Sequence, residues 1–78
     1  MKTKILQMVR QVNPDVPAST DTKLIDEGYI DSFGAYMILA QIELDFGVAV
    51  DEAEMVYDNF KDIDSIARYV EGKLEELE

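Results

Sequence analysis

The chain has 78 residues, of which seventeen are acidic and seven basic, and it holds neither cysteine nor histidine. That length accommodates one domain, 1–78, with a small core. The missing residue types exclude a disulfide or Cys/His metal staple, a thiol nucleophile and an imidazole base. Helix packing has to supply the stability, and self-contained catalysis is not expected.

The net charge is −10, and between Lys23 and Lys61 there is no Lys or Arg at all. That stretch carries Asp26, Glu27, Asp31, Glu43, Asp45, Asp51, Glu52, Glu54 and Asp58. A surface of this sign repels nucleic acid and steers a basic protein partner toward it. No apolar run has the length of a membrane span, and Met1–Gln7 lacks the long apolar stretch of a secretion signal. A soluble, cytoplasmic monomer is the expectation.

In chain order, the spacing of Ile5, Met8, Val9 and Val12 predicts a helix from about Lys2 to Val12, stopped by Asn13-Pro14. From Pro14 to Asp31 the breakers Pro17, Ser19, Thr20, Asp21 and Gly28 predict a long loop, anchored in the core by Leu24, Ile25 and Ile30. A second helix begins at Ser32 or Phe33 with Asp31 or Ser32 as its cap, and Gly47 supplies the left-handed residue that ends it. Val48-Ala49-Val50 reads as an extended link, followed by a brief third helix from about Glu52 to Tyr57. The last helix runs from about Asp62 to Glu76, capped by Asn59 or Asp62, with an apolar stripe of Ile63, Ile66, Ala67, Val70, Leu74 and Leu77. The fold class is all-α, a small four-helix bundle of three main helices and one short one.

The second helix is apolar on two sides. At 100° per residue, Ala35, Ile38, Leu39, Ile42 and Phe46 share one arc, and Phe33, Tyr36, Met37, Ala40 and Leu44 share the roughly opposite one. The first arc packs into the domain's own core. The second is either sandwiched by neighbouring helices or left exposed for partners.

At the head of this helix stands Asp31-Ser32, after a long loop. The helix dipole and free N–H groups there favour a phosphate. An Asp-Ser cap is commonplace and by itself says little. In context, Leu24-Ile25-Asp26-Glu27-Gly28-Tyr29-Ile30-Asp31-Ser32-Phe33 resembles the attachment site of acyl and peptidyl carrier proteins. The resemblance extends over essentially the whole chain, through Leu44-Asp45-Phe46-Gly47-Val48 and Asn59-Phe60-Lys61-Asp62-Ile63-Asp64-Ser65-Ile66-Ala67. It implies that Ser32 receives 4′-phosphopantetheine from coenzyme A through a phosphopantetheinyl transferase, and that Asp31 supports recognition by that transferase. It further implies that the arm's thiol carries an acyl or aminoacyl thioester, loaded by an adenylating ligase and passed to acyl-transfer or condensing enzymes. Carriers of fatty-acid synthesis place acids at two positions where this chain has Gly34 and Met37. The chain looks more like stand-alone carriers with a dedicated ligase, D-alanyl carriers among them. Phe33, Tyr36, Met37 and Ala40 are the expected docking surface.

A non-carrier acidic interaction module has similar bulk composition but does not require Asp-Ser at this position. Asp58, Asp62 and Asp64 cluster in sequence, yet no stretch has the twelve-residue calcium loop with its central glycine and final glutamate. No metal ligand set is expected, and the helix-start role of these acids is the simpler reading.

Overall fold

A computed structural model describes residues 1–77. The first helix, α1 (Lys2–Val12), buries Ile5, Met8 and Val9 and ends where Asn13 turns extended. A residue ahead of proline is pushed out of the helical region, which is why the helix stops there. The Asn13 side-chain amide donates to the Tyr29 carbonyl at 3.0 Å and so ties the far end of the following loop to this helix end.

The loop is held by buried side chains and by backbone hydrogen bonds to distant segments. Val16, Leu24 and Ile30 are buried in the core. The Leu24 N–H donates to Lys61 O at 2.9 Å, Ile30 N–H to Leu24 O at 3.0 Å, and Asp64 N–H to Thr20 O at 3.0 Å. These bonds satisfy backbone groups that burial would otherwise leave unpaired.

Next comes α2 (Ser32–Phe46), capped by Asp31 and closed by Gly47 in the left-handed region at φ 67°. The last long helix, α4 (Ile63–Glu76), starts where the Asp62 carboxylate accepts from the Ser65 N–H at 2.7 Å. Of the two candidates for that cap, Asp62 does the work, and Asn59 instead donates its side-chain amide to the Glu54 carbonyl at 2.8 Å.

The third element departs from expectation. In place of one helix over Glu52–Tyr57 there is a 3-10 turn at Glu52–Glu54, then a four-residue helix, α3 (Tyr57–Phe60). The reason is local. Asp51 and Glu54 form a capping box that closes the turn on itself, and Met55 and Val56 then leave helical geometry. The break lets Phe60 swing inward, where it is buried and its ring lies 5.9 Å from that of Tyr69.

The architecture is a small four-helix bundle without strands among the described residues. Helix α1 packs against α2 and α4, and α3 against α4. Ile5, Val9, Val16, Leu24, Ile38, Ile42, Ile63, Ile66 and Val70 form the fully buried centre. Each such side chain stabilises the fold by about 1.5–3 kcal/mol relative to exposure. No described helix is long and apolar enough to cross a membrane.

Candidate functional site: the start of the second helix

Asp31 has extended backbone, and its Oδ1 accepts from the Gly34 N–H at 2.8 Å. The Ala35 N–H bonds to the Asp31 carbonyl at 2.9 Å. Two donors of the first turn remain. Among the described residues, the N–H groups of Ser32 and Phe33 have no partner within the chain. Ser32 itself is exposed, its hydroxyl beside those free donors at the positive end of a fifteen-residue helix. The other two serines are placed differently. Ser65 is buried in α4, and Ser19 bonds to Asp21 in the loop.

Gly34 explains how α2 and α1 come so close here. A Cβ at this position would lie 3.1 Å from Val12 Cγ1, 3.3 Å from Ile30 Cγ2 and 3.4 Å from Asp31 Oδ1. Glycine is the residue that permits this approach between α1, the loop and the capping carboxylate.

Farther along α2 the two apolar arcs separate. Ile38 and Ile42 are buried, with Ala35, Leu39 and Phe46 partly so. On the other side Phe33 is 73 % exposed, and Tyr36, Met37, Ala40 and Leu44 are exposed as well. Among the described residues no neighbouring helix sandwiches this face.

A cleft of about 630 Å³ opens directly beside Ser32. Its walls come from the loop (Ile25, Ile30), from α2 (Ala35, Tyr36) and from the segment after the 3-10 turn (Met55, Val56, Phe60). A smaller one of about 310 Å³ lies toward α1, lined by Val12, Phe33, Gly34 and Met37.

The far wall of the larger cleft is pinned from behind. Glu54 Oε1 accepts from the Tyr69 hydroxyl and from Lys73 Nζ, each at 3.0 Å, so that α4 clasps the 3-10 turn. The bond from Lys73, then that from Tyr69, hold the Glu54 carboxyl below its ordinary pKa. Burial first, and the Glu54 carboxylate second, push the Tyr69 hydroxyl well above its own. In front of that wall the Tyr57 hydroxyl donates to Asp26 Oδ2 at 2.5 Å, which raises the pKa of the phenol.

The sequence placed Asp31 and Ser32 together at the helix start and put Phe33, Tyr36, Met37 and Ala40 on one face, and they stand so in the folded chain. The three acids near α4 are not gathered: Asp62 caps the helix, Asp64 pairs with Lys2 at 2.9 Å, and no group of three metal-ligating side chains occurs among the described residues. Sequence reasoning missed the cleft, the Glu54 clasp and the close approach at Gly34. Only the glycine left a signal, as an apparent helix-weakening residue in a first turn.

A family model described as the phosphopantetheine attachment site matches residues 3–70. The chain therefore belongs to the phosphopantetheine-attachment family, and it is a carrier domain for a covalent 4′-phosphopantetheine arm. No curated protein matches the chain by sequence. The helix start fits such a group. Unpartnered N–H donors and the helix dipole would face a phosphate there, and the adjoining cleft is lined mainly by apolar side chains along which a slender arm can lie.

Proposed function

We propose that Ser32 is the attachment residue and that the chain is a monomeric, single-domain acyl or aminoacyl carrier working in the cytoplasm. The observation that carries this reading is an exposed serine hydroxyl at a helix N-terminus with free N–H donors beside it, in a chain of the phosphopantetheine-attachment family. With the transferase bound, the Ser32 oxygen gives up its proton and takes the 4′-phosphopantetheinyl group of coenzyme A, whose pyrophosphate bond breaks so that adenosine 3′,5′-bisphosphate leaves. Asp31 orients Ser32 by closing the first turn of α2, and its carboxylate is a feature the transferase reads. The free donors of Ser32 and Phe33 steady the phosphodiester. The arm supplies a thiol that holds the cargo as a thioester.

The exposed face of Phe33, Tyr36, Met37 and Ala40 is the docking surface for the transferase, the adenylating ligase and the acyl-transfer or condensing enzymes that follow. Aromatic and methionine side chains are common anchors at such interfaces. The acidic surface between Lys23 and Lys61 adds attraction for basic partners and excludes nucleic acid. The chain brings no imidazole or thiol of its own, so the chemistry on the cargo belongs to those enzymes.

Intact mass after treatment with coenzyme A and a broad-specificity transferase tests the assignment. Wild type should gain one phosphopantetheine and Ser32→Ala none. Modification of the Ser32→Ala protein would sink it, and failure of wild type to accept any arm would favour a non-carrier interaction module.

A further inference from the structure

The wall of the cleft between the 3-10 turn and Phe60 is held at both ends, with Met55 half-buried against the core and Val56, Tyr57 and Asp58 exposed in between. Upstream, Glu54 is clasped by Tyr69 and Lys73. Downstream, Phe60 is buried and Lys61 O accepts from the Leu24 N–H. Between them, residues Met55–Asp58 make a single side-chain hydrogen bond to the rest of the chain among the described residues, from the Tyr57 hydroxyl to Asp26. Val56 and Tyr57 are about half exposed, at 49 % and 46 %. Val56 offers no side-chain cap to α3.

Asp26 belongs to the loop whose neighbours Ile25 and Gly28 line the cleft, and Tyr57 lines it from the other side. The bond thus ties two walls of one cleft across thirty-one positions of sequence. Acids stand on both walls, Asp26 and Asp31 on one side and Glu52 and Asp58 on the other, and their mutual repulsion works against closure, with Lys23 and Lys61 the cations that border this stretch. An exposed hydrogen bond exchanges with water at little net cost, so this tie is the easiest part of the wall to release.

We infer that the Tyr57–Asp26 hydrogen bond is a releasable strap that sets the size of the cleft beside Ser32. When it is closed, the Tyr57 end of α3 lies against the loop and the cleft is confined. When it is open, Val56–Asp58 moves outward between Met55 and Phe60 and the cleft lengthens, so the strap decides how long an apolar cargo the carrier shelters. The claim about cargo rests on Ser32 being the attachment point. The claim about the strap does not, and the two are read separately.

Tyr57→Phe keeps the ring and deletes the hydroxyl, and Asp26→Ala removes the same bond from the other side, which covers the case of a variant that fails to fold. On the unmodified chain, amide hydrogen exchange at Asn59, whose N–H bonds to the Val56 carbonyl, should speed up about fivefold in either variant, with α1 and α4 unchanged. Asp26→Asn retains an acceptor oxygen and should stay close to wild type. On protein bearing the arm, a series of straight-chain acyl thioesters is followed for spontaneous hydrolysis. In the strapless variants the chain length beyond which protection stops increasing should move to longer acyl groups. Unchanged exchange at Asn59, or faster exchange with the same chain-length dependence, overturns the inference. Absence of an arm by intact mass overturns the carrier reading instead and leaves the exchange result to decide the strap.

Discussion

At the residue scale, two neighbouring positions on α2 have opposite meanings. Gly34 is buried against the Val12 and Ile30 side chains, while Met37, one turn later, is 46 % exposed. Gly34→Leu gains about 1 kcal/mol of helix propensity, yet its side chain has to enter a space where even a Cβ stands 3.1 Å from Val12. Overpacking of this kind costs about 1–3 kcal/mol, so the variant should lose stability on balance and melt earlier. Met37→Glu makes the matched comparison. It should keep the wild-type melting temperature and weaken loading by the cognate ligase by about 1–2 kcal/mol, the scale of an interface anchor. A Met37→Glu protein that unfolds while its folded remainder loads normally would return this face to the core.

At the element scale, the 3-10 turn and α3 are too short to stand alone and borrow their stability from α4. Glu54 carries that loan through Tyr69 and Lys73. Its pKa is lowered in the folded state, chiefly by Lys73 and then Tyr69. A carboxylate with a depressed folded pKa contributes stability that is complete above its unfolded value and lost as pH falls through the folded one. The melting-temperature gap between wild type and Glu54→Gln should therefore be full at neutral pH and shrink only below about pH 4.3, the ordinary range of a free glutamate. A gap that is the same at pH 7 and at pH 3 would show that the clasp does not depend on the charge.

At the scale of the whole molecule, charge is the dominant imbalance. Of the nine acids between Lys23 and Lys61, only Glu54 has a cation within 4 Å among the described residues. The remainder repel one another across a body with a radius of gyration of 11.4 Å. The Debye length is about 10 Å at 0.1 M salt, so added salt reaches most of these pairs. Sodium chloride raised from low to moderate concentration should increase the melting temperature, and magnesium should do more at equal ionic strength. A flat or falling trend would mean that screening of the Lys2–Asp64 and Lys73–Glu54 pairs outweighs the relief of repulsion.

What the sequence determined by itself was everything governed by local periodicity and end chemistry. The span of α1, the Asp31-Ser32 opening of α2, the Gly47 stop and the apolar stripe of α4 from Ile63 to Leu74 follow from spacing and caps within a few residues of each other, whereas Leu77, expected in that stripe, lies past the helix end and is exposed. The placement of Ser32 at a helix start was legible for that reason. Tertiary structure alone decided what depends on partners distant in the chain. Glu54 meets residues fifteen and nineteen positions away, Tyr57 meets one thirty-one positions away, and Gly34 meets the end of α1. The split of the expected third helix into a turn and α3 belongs with these. Met55 and Val56 are compatible with a helix locally, but burying Phe60 and satisfying Glu54 on α4 require the chain to bend between them, and that bend makes the far wall of the cleft beside Ser32.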